Sequence, residues 1–304
     1  MVLAVVACFL NEERHLPRFL ASLAAQTRPP DQLLLVDDGS SDGSVALAHA
    51  FAVDHPWVRL VERPRRPPER DRLATAAELR AFQEAVPLVD VDWDVVCKMD
   101  ADLELRPTHI EQVMRAFADD DRLGVTGAYL AVETPEGPVR EEHAEHHVRG
   151  PNKFYRRACF EQVFPLAPIL GWDTTDELAA RAAGWHTRAL ALTGGDSLHL
   201  RPTGEHGGSL RAFRRHGVCA WGFGAHPAYV VVGALSRMRR RPWVLGGLHY
   251  LAGWLGAALR RLPRADERSR AQARREELAR LKVVSRRAAG RSAGAGPPAG
   301  TGSR

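Results

Sequence analysis

Cysteine is scarce in this 304-residue chain: Cys8, Cys97, Cys159 and Cys219 lie far apart and form no C-x-x-C pair. That excludes a disulfide framework and the paired-cysteine zinc sites, and free thiols in a reducing compartment are expected. A secretion signal is missing too. Residues 1–10 are apolar, but no basic segment precedes them and they run straight into Asn11-Glu12-Glu13, so they read as a first strand and point to the cytoplasm. No stretch offers the roughly 18 uninterrupted apolar residues of a spanning helix; 227–235 and 244–259 are broken by Gly, Pro and His. They read as interfacial or re-entrant helices, or as core helices. Base is in modest excess, with a formal net charge of +5, yet no nucleic-acid-binding module accompanies it, which argues against a nucleic-acid partner. An H-E-x-x-H motif is also absent, although His143 and His147 stand four apart among Glu141, Glu142 and Glu145. For that segment a solvated polar face is the simpler reading than a zinc site.

What is present is an ordinary globular composition, 45% apolar and 26% charged, in a length that suits one large α/β domain with a helical appendage. Residues 2–10 form a continuous apolar run, the pattern of a strand covered on both faces. Leu16, Phe19, Leu20 and Leu23 then recur at helical spacing within 12–26, and a second buried strand spans 32–36. A helix over 41–52 and a strand over 58–61 complete a β-α-β-α-β run, which predicts a parallel sheet with crossover helices. A Pro/Arg-rich loop (64–72), a helix (73–85), a buried strand (94–99) and a helix (108–117) follow, the last with Thr108 and Glu111 placed as a capping box. Strands are expected at 123–132 and 187–192, and a helix near 177–183. Much of the basic excess lies after residue 210, in Arg237, Arg239, Arg240 and Arg241 beside an apolar stretch and again in 268–287. Base beside apolar surface fits anionic lipid as well as a solvated face. Trp221, Trp243, Tyr250 and Trp254 fit interfacial anchors or core fillers alike. Residues 288–304 read as a disordered tail.

Two acidic motifs carry the chemistry. Asp37-Asp38-Gly39-Ser40 directly follows the second buried strand, and ligands of an open parallel sheet bind beyond the carboxyl ends of its strands. Carboxylates there can accept hydrogen bonds from a base or a ribose, and the glycine lets backbone approach a ligand closely. The same residues also make a plain polar turn. Lys98-Met99-Asp100-Ala101-Asp102 ends another apolar strand. Two carboxylates one residue apart can share a hard divalent cation, which neutralises a departing diphosphate. A lone D-x-D is usually surface loop, but one that ends a buried strand about sixty residues after an Asp-Asp-Gly-Ser strand end is rare by chance.

With VDDGSSDG (36–43), KMDADLEL (98–105), HVRGPNKFYRR (147–157), GWDTTDELAARAAGW (171–185) and HLRPTG (199–204), the chain resembles the family 2 glycosyltransferases of GT-A fold. The likeness covers roughly residues 1–210; the later stretch looks like the tail of a bacterial subgroup tied to cell-surface polysaccharides. It implies a GT-A domain over 1–212, nucleotide-binding to about 104 and acceptor-binding beyond, with a helical basic and apolar extension over 213–287. The implied roles put Asn11, Glu12, Asp37, Asp38, Gly39, Ser40, Lys98 and Asp100 around the nucleotide sugar. Asp102 would bind Mg²⁺ or Mn²⁺, with His199 completing the site and His206 as its competitor. Lys153, Arg156 and Trp172 fall on the acceptor side. Inverting transfer needs a general base; the family's Glu-Asp pair is missing from 173–177, which leaves Asp176 as the first candidate and Asp173 as the second.

The resemblance thus implies an inverting transferase that moves a sugar from a nucleoside diphosphate to a lipid-linked or polysaccharide acceptor. Peripheral membrane contact through 227–259 would hold it at the inner face of the cell membrane. Two other readings stand beside it. A sugar nucleotidyltransferase needs a Gly-rich basic loop after the first strand, where Asn11-Glu12-Glu13 would repel a triphosphate. A non-catalytic scaffold of the same fold fits the missing Glu-Asp pair.

Overall fold

A computed structural model describes residues 1–65, 71–201, 208–239 and 241–293 of the chain. The first half alternates as the sequence predicts: β1 (Leu3–Phe9), α1 (Leu16–Ala24), β2 (Gln32–Asp37), α2 (Ser44–Asp54), β3 (Val58–Glu62), α3 (Ala77–Ala85) and β4 (Val95–Asp100). A short β5 (Leu103–Glu104), α4 (His109–Asp119), β6 (Leu123–Ala128), β7 (Leu130–Val132), β8 (Val139–Arg140) and β9 (Asn152–Arg156) follow. The domain closes with α5 (Arg157–Val163), α6 (Trp172–Ala182), β10 (His186–Leu190) and β11 (Ser197–His199). Four helices complete the chain: α7 (Gly208–Gly222), α8 (Pro227–Met238), α9 (Val244–Leu259) and α10 (Glu267–Ala293). Residues 288–293, expected to be disordered, thus belong to a helix; 294–304 lie outside the described residues.

Seven strands form the main sheet in the order β10-β6-β9-β4-β1-β2-β3, parallel except for β9, which runs antiparallel to both neighbours. Alternation along β1 sends side chains to two cores. Leu3, Val5, Ala7 and Phe9 meet α1 and α4 through Phe19, Ile110 and Phe117; Ala4 and Val6 face Leu79 and Phe82 of α3 and Cys159 of α5. Burying one such large side chain stabilises the fold by about 1.5–3 kcal/mol. The pairing register aligns Cys8 with both Val36 and Asp100. The carboxyl ends of β1, β2 and β4 therefore lie side by side, and both acidic motifs open into one space.

Two local expectations fail for physical reasons. The single strand expected over 123–132 breaks at Tyr129, and β7 joins a second sheet, β5-β11-β7-β8. The Asn152 amide takes both hydrogen-bonding groups of Ala128 (2.7 and 3.1 Å), and Tyr129 N donates to Leu190 O (2.9 Å), so the chain leaves the ladder. Gly127 makes this possible, because a Cβ there would lie 2.0 Å from Asn152 O. The capping box is also absent: the Gln112 amide donates to Thr108 Oγ1 (2.8 Å) and Glu111 accepts from Thr27 Oγ1 (2.7 Å). The Gln26 side chain serves the helix start instead, accepting from Ile110 N at 3.1 Å.

His109 links α4 to the second sheet, with Nδ1 2.7 Å from Ser197 Oγ and Nε2 buried without a hydrogen-bond partner. Burial holds its pKa down at about 4. The folded protein therefore keeps His109 neutral where the unfolded chain, titrating near 6.5, takes up a proton. Stability from this residue is complete above pH 6.5 and is lost as pH falls toward 4. Urea unfolding at stepped pH should show that loss diminished in the H109Q variant; identical acid slopes in both proteins would refute the assignment.

Candidate active site

A cleft of about 290 Å³ opens at the shared strand ends, walled by Glu12, Asp38, Arg72, Glu78, Asp100, Asp102 and Arg201. Its floor loop after β2 is built by Asp37, whose carboxylate accepts from Gly39 N (3.1 Å) and Ser40 N (2.9 Å). Gly39 sits at φ +92°, where a side chain is strained and a Cβ would meet Arg65 Cα at 2.9 Å. Asn11, itself at φ 55°, clasps the same loop: its amide oxygen accepts from Ser41 N (2.7 Å) and its N–H donates to Ser40 Oγ (2.9 Å). Asn11, Asp37, Gly39 and Ser40 thus shape the loop, while Asp38 and Glu12 face the cleft. Asp38 accepts from Arg63 Nη1 and Arg72 Nη2, both at 2.5 Å. Lys98 is buried, donates to Gly150 O (3.0 Å), and contacts Asp100 and Glu78.

Asp100, Asp102 and His199 each offer one ligand atom within 4.8 Å of the others. Asp102 is buried, and among the described residues its Oδ1 accepts no hydrogen bond within normal distance; His199 Nε2 lies 3.6 Å from it. The opposite ring nitrogen, Nδ1, stands 3.4 Å from Glu141 Oε2. A histidine whose far nitrogen meets a carboxylate is oriented as metal-binding histidines are. An orphaned carboxylate oxygen beside Asp100 and that imidazole makes a donor set fit for a divalent cation. Burial disfavours charge on His199, but Asp102 and Glu141 outweigh it and raise its pKa to about 9; a metal here would have to displace that proton. Glu141 and His147 prove to be packed rather than solvated, since Glu141 also pairs with Arg149 and His147 with Glu177. His206 lies outside the described residues.

Arg201 was not among the residues that the sequence singles out, although it follows His199 by two positions, the spacing that returns a side chain to the same face. It donates to Asp102 Oδ2 (2.8 and 3.1 Å) and to Glu12 Oε1 (2.5 Å). Glu78, Arg63 and Arg72 are further members with no motif to reveal them.

The acceptor-side expectations need correction. Lys153 is fully buried, its ammonium donating to both Asp176 oxygens (2.8 and 2.7 Å) and lying 3.2 Å from Glu177. Asp176, also fully buried, accepts in addition from Tyr155 Oη (2.6 Å) and Glu177 N (2.7 Å). Burial pushes Asp176 up to about 6 against the pull of Lys153. Asp176 lines neither the cleft nor the cavity on which Asp173 lies, and its oxygens are committed to Lys153, Tyr155 and the α6 backbone, an arrangement that suits an anchoring role. Arg156 is structural too, donating to the carbonyls of Leu123, Phe117 and Asp120. Trp172 lies buried between two ammonium groups, 5.6 Å from Lys98 Nζ and 5.8 Å from Lys153 Nζ. Asp173, the next residue, is half-buried and sits beside Gly150. It also lines a second cavity of about 510 Å³ between α6 and the C-terminal helices, with His146, Arg237 and Tyr250 among its walls.

A mostly parallel sheet with an Asp-x-Asp/His cluster at its carboxyl edge defines the GT-A class of glycosyltransferases. The sequence profile of Glycosyl transferase family 2 matches residues 4–169, and the chain belongs to that family. It is 32% identical over 205 residues to the N-acetylglucosaminyl-diphospho-decaprenol L-rhamnosyltransferase of Mycobacterium tuberculosis, a match covering 63% of this chain and 61% of that protein. The chain therefore spans about three fifths of that relative's length. An uncharacterized Escherichia coli glycosyltransferase, YibD, is 29% identical over 119 residues, 39% of this chain and 31% of its own. Among solved structures, the mannosyltransferase PcManGT of Pyrobaculum calidifontis, bound to GDP-Man and Mn²⁺, superposes with a TM-score of 0.50 at 17% identity, over 84% of this chain and 73% of that one. S. aureus TarS in complex with UDP gives 0.52 at 13% identity, over 86% and 72%. These likenesses establish the fold, and the family is that of the glycosyltransferases rather than of the sugar nucleotidyltransferases.

Removing one partner of a buried ion cluster leaves an uncompensated charge, at a cost of about 3–5 kcal/mol. Lys153→Met should therefore lower the urea midpoint sharply, and Asp176→Asn should do so with it. A midpoint unchanged in both would refute the anchoring role.

Proposed function

We propose that the chain is an inverting transferase that moves a sugar from a nucleoside diphosphate to a lipid-linked saccharide, with Asp173 as its general base. The observation that carries this reading is the position of Asp173, a half-buried carboxylate beside Gly150 and on the wall of the second cavity. A donor in the first space and an acceptor in the second would meet at this group. Asp38 and Glu12 serve the nucleoside side of the cleft, and Asp100 the ribose and sugar.

Asp102 and His199, with Asp100 beside them, would hold Mg²⁺ or Mn²⁺, which when bound supplies positive charge to the leaving diphosphate. Arg201 adds a guanidinium suited to the same oxygens, exchanging its carboxylate partners for phosphate. Asp173 accepts the proton of the acceptor hydroxyl as that oxygen attacks the anomeric carbon and the bond to the diphosphate breaks. Attack opposite the leaving group inverts the anomeric centre. The mycobacterial rhamnosyltransferase, with its diphospho-decaprenol acceptor, supports the lipid-linked acceptor, and PcManGT with GDP-Man and Mn²⁺ and TarS with UDP support the nucleotide donor and the metal.

Thermal denaturation with UDP, GDP, dTDP or CMP, each with Mn²⁺ and with EDTA, tests the donor site. One diphosphate should raise the melting temperature only with metal, and Asp102→Ala should abolish the shift. Asp173→Asn should keep that metal-dependent shift while transfer to a polyprenyl-diphosphate sugar falls roughly 10²–10⁴-fold. Near-normal transfer by Asp173→Asn would overturn the base assignment, and a metal-dependent shift that survives Asp102→Ala would overturn the metal site.

A further inference from the structure

Helices α7, α8 and α9 form a small core of their own around Ala220, Val230, Ala234 and Tyr250. Helix α9 is locked in rotation there. A Cβ on Gly217 would fall 2.0 Å from Tyr250 O, and one on Gly253 2.1 Å from Arg214 O, so the α7 and α9 backbones touch along a glycine seam. The opposite face of α9 is consequently turned outward. It carries Leu245, Leu248, Ala252, Leu255 and Leu259, spaced by three and four residues and all exposed. Helix α8 adds exposed Val231, Val232 and Leu235, and Trp243 between the two helices is 57% exposed. A protein in water rarely leaves so many large apolar side chains exposed on two neighbouring helices without a partner.

The charge carried by this segment is of one sign. From 207 to 265 the sequence holds ten arginines and no aspartate or glutamate. Arg239 and Arg241 stand before α9, and Arg260 and Arg261 directly after it, all exposed, roughly 24 Å apart at about 1.5 Å per residue. A second copy of the chain placed on this face would set Arg239, Arg241, Arg260 and Arg261 against their own like, with no carboxylate from 207–265 to meet them. An anionic headgroup layer over acyl chains answers both features. No helix among the described residues is long and apolar enough to cross a membrane, so the fitting geometry lies on the bilayer.

We propose that the outward face of α8 and α9 is a docking surface for an anionic lipid bilayer, with α9 lying in the interfacial plane. The inward faces of the same helices supply Tyr229, Arg237 and Tyr250 to the cavity that reaches Asp173. Docking therefore holds that cavity next to the membrane surface, where a lipid-borne saccharide presents its sugar. This consequence rests on the proposed acceptor; the docking does not.

Flotation of the full chain with vesicles tests the surface directly, using phosphatidylcholine alone and with about one third phosphatidylglycerol. The protein should float only with the anionic vesicles, and raised salt should weaken the association. The double variant Leu248→Glu/Leu255→Glu alters exposed positions and should keep its melting temperature and its metal-dependent nucleotide shift. Its partitioning should fall roughly tenfold or more, as should that of Arg239→Glu/Arg241→Glu. Failure of folded wild-type protein to float, or equal flotation of the leucine variant, would overturn the proposal. So would a wild-type dimer on sizing that the leucine variant dissolves without any vesicle binding. The nucleotide shift reads the donor site and flotation reads the membrane face, so either reading can fail alone.

Discussion

A buried ammonium organises the part of this protein where α6 meets the main sheet. Lys153 lies on β9, the strand that runs against its neighbours in the main sheet, and its Nζ reaches Asp176 and Glu177 on α6. Taking these charges out of water is expensive, and only the completeness of the pairing compensates. Tyr155 and Glu177 N complete Asp176, while Val148 N and His147 complete Glu177. The same ammonium donates to Asp173 O at 2.5 Å. The first turn of α6 is thereby pinned against the sheet, and the Asp173 side chain comes to stand on the wall of the second cavity.

The strand-end cleft depends on a different constraint, the parallel register of β1, β2 and β4. Because Cys8 is level with both Val36 and Asp100, the loop after β2 and the acidic turn after β4 stand at the same height. Parallel strands must all end on one edge, and that edge is where an α/β sheet leaves room for ligands. The second sheet then returns β11 antiparallel to β5, aligning His199 with Leu103. That crossing brings an imidazole from late in the chain to the D-x-D carboxylates.

Charge separates the two ends of the molecule's work. Carboxylates dominate the donor edge, where Glu12, Glu78, Asp38, Asp100 and Asp102 surround one cleft, an arrangement that suits a cation and would repel bare phosphate. Arginines dominate α7–α9, without an acid among them. The first surface has the donor atoms that suit a divalent cation, and the second has the charge that suits anions. Helices α8 and α9 serve both, lining a cavity with one face and presenting apolar surface with the other.

The alternation of apolar runs and helical spacing over 1–120 made the parallel sheet legible, because strands buried on both faces read as unbroken apolar segments. Asp38, Asp100 and Asp102 were legible for a related reason: each ends such a run, and strand ends are where chemistry sits. The break at Tyr129 was not legible, since it depends on the Asn152 amide arriving from β9. Nor could spacing distinguish Asp173 from Asp176. One turn of helix separates a solvent-reaching carboxylate from a sealed one, and the difference lies in which face of α6 meets Lys153. Lys153 and Arg156 looked like acceptor-side bases because a sequence shows charge but not burial. By itself, then, the sequence determined the sheet, its order of elements and the acidic strand ends, through local periodicity. Only the tertiary structure decided which charges are neutralised inside and which remain at the site, because that depends on partners brought together from distant segments.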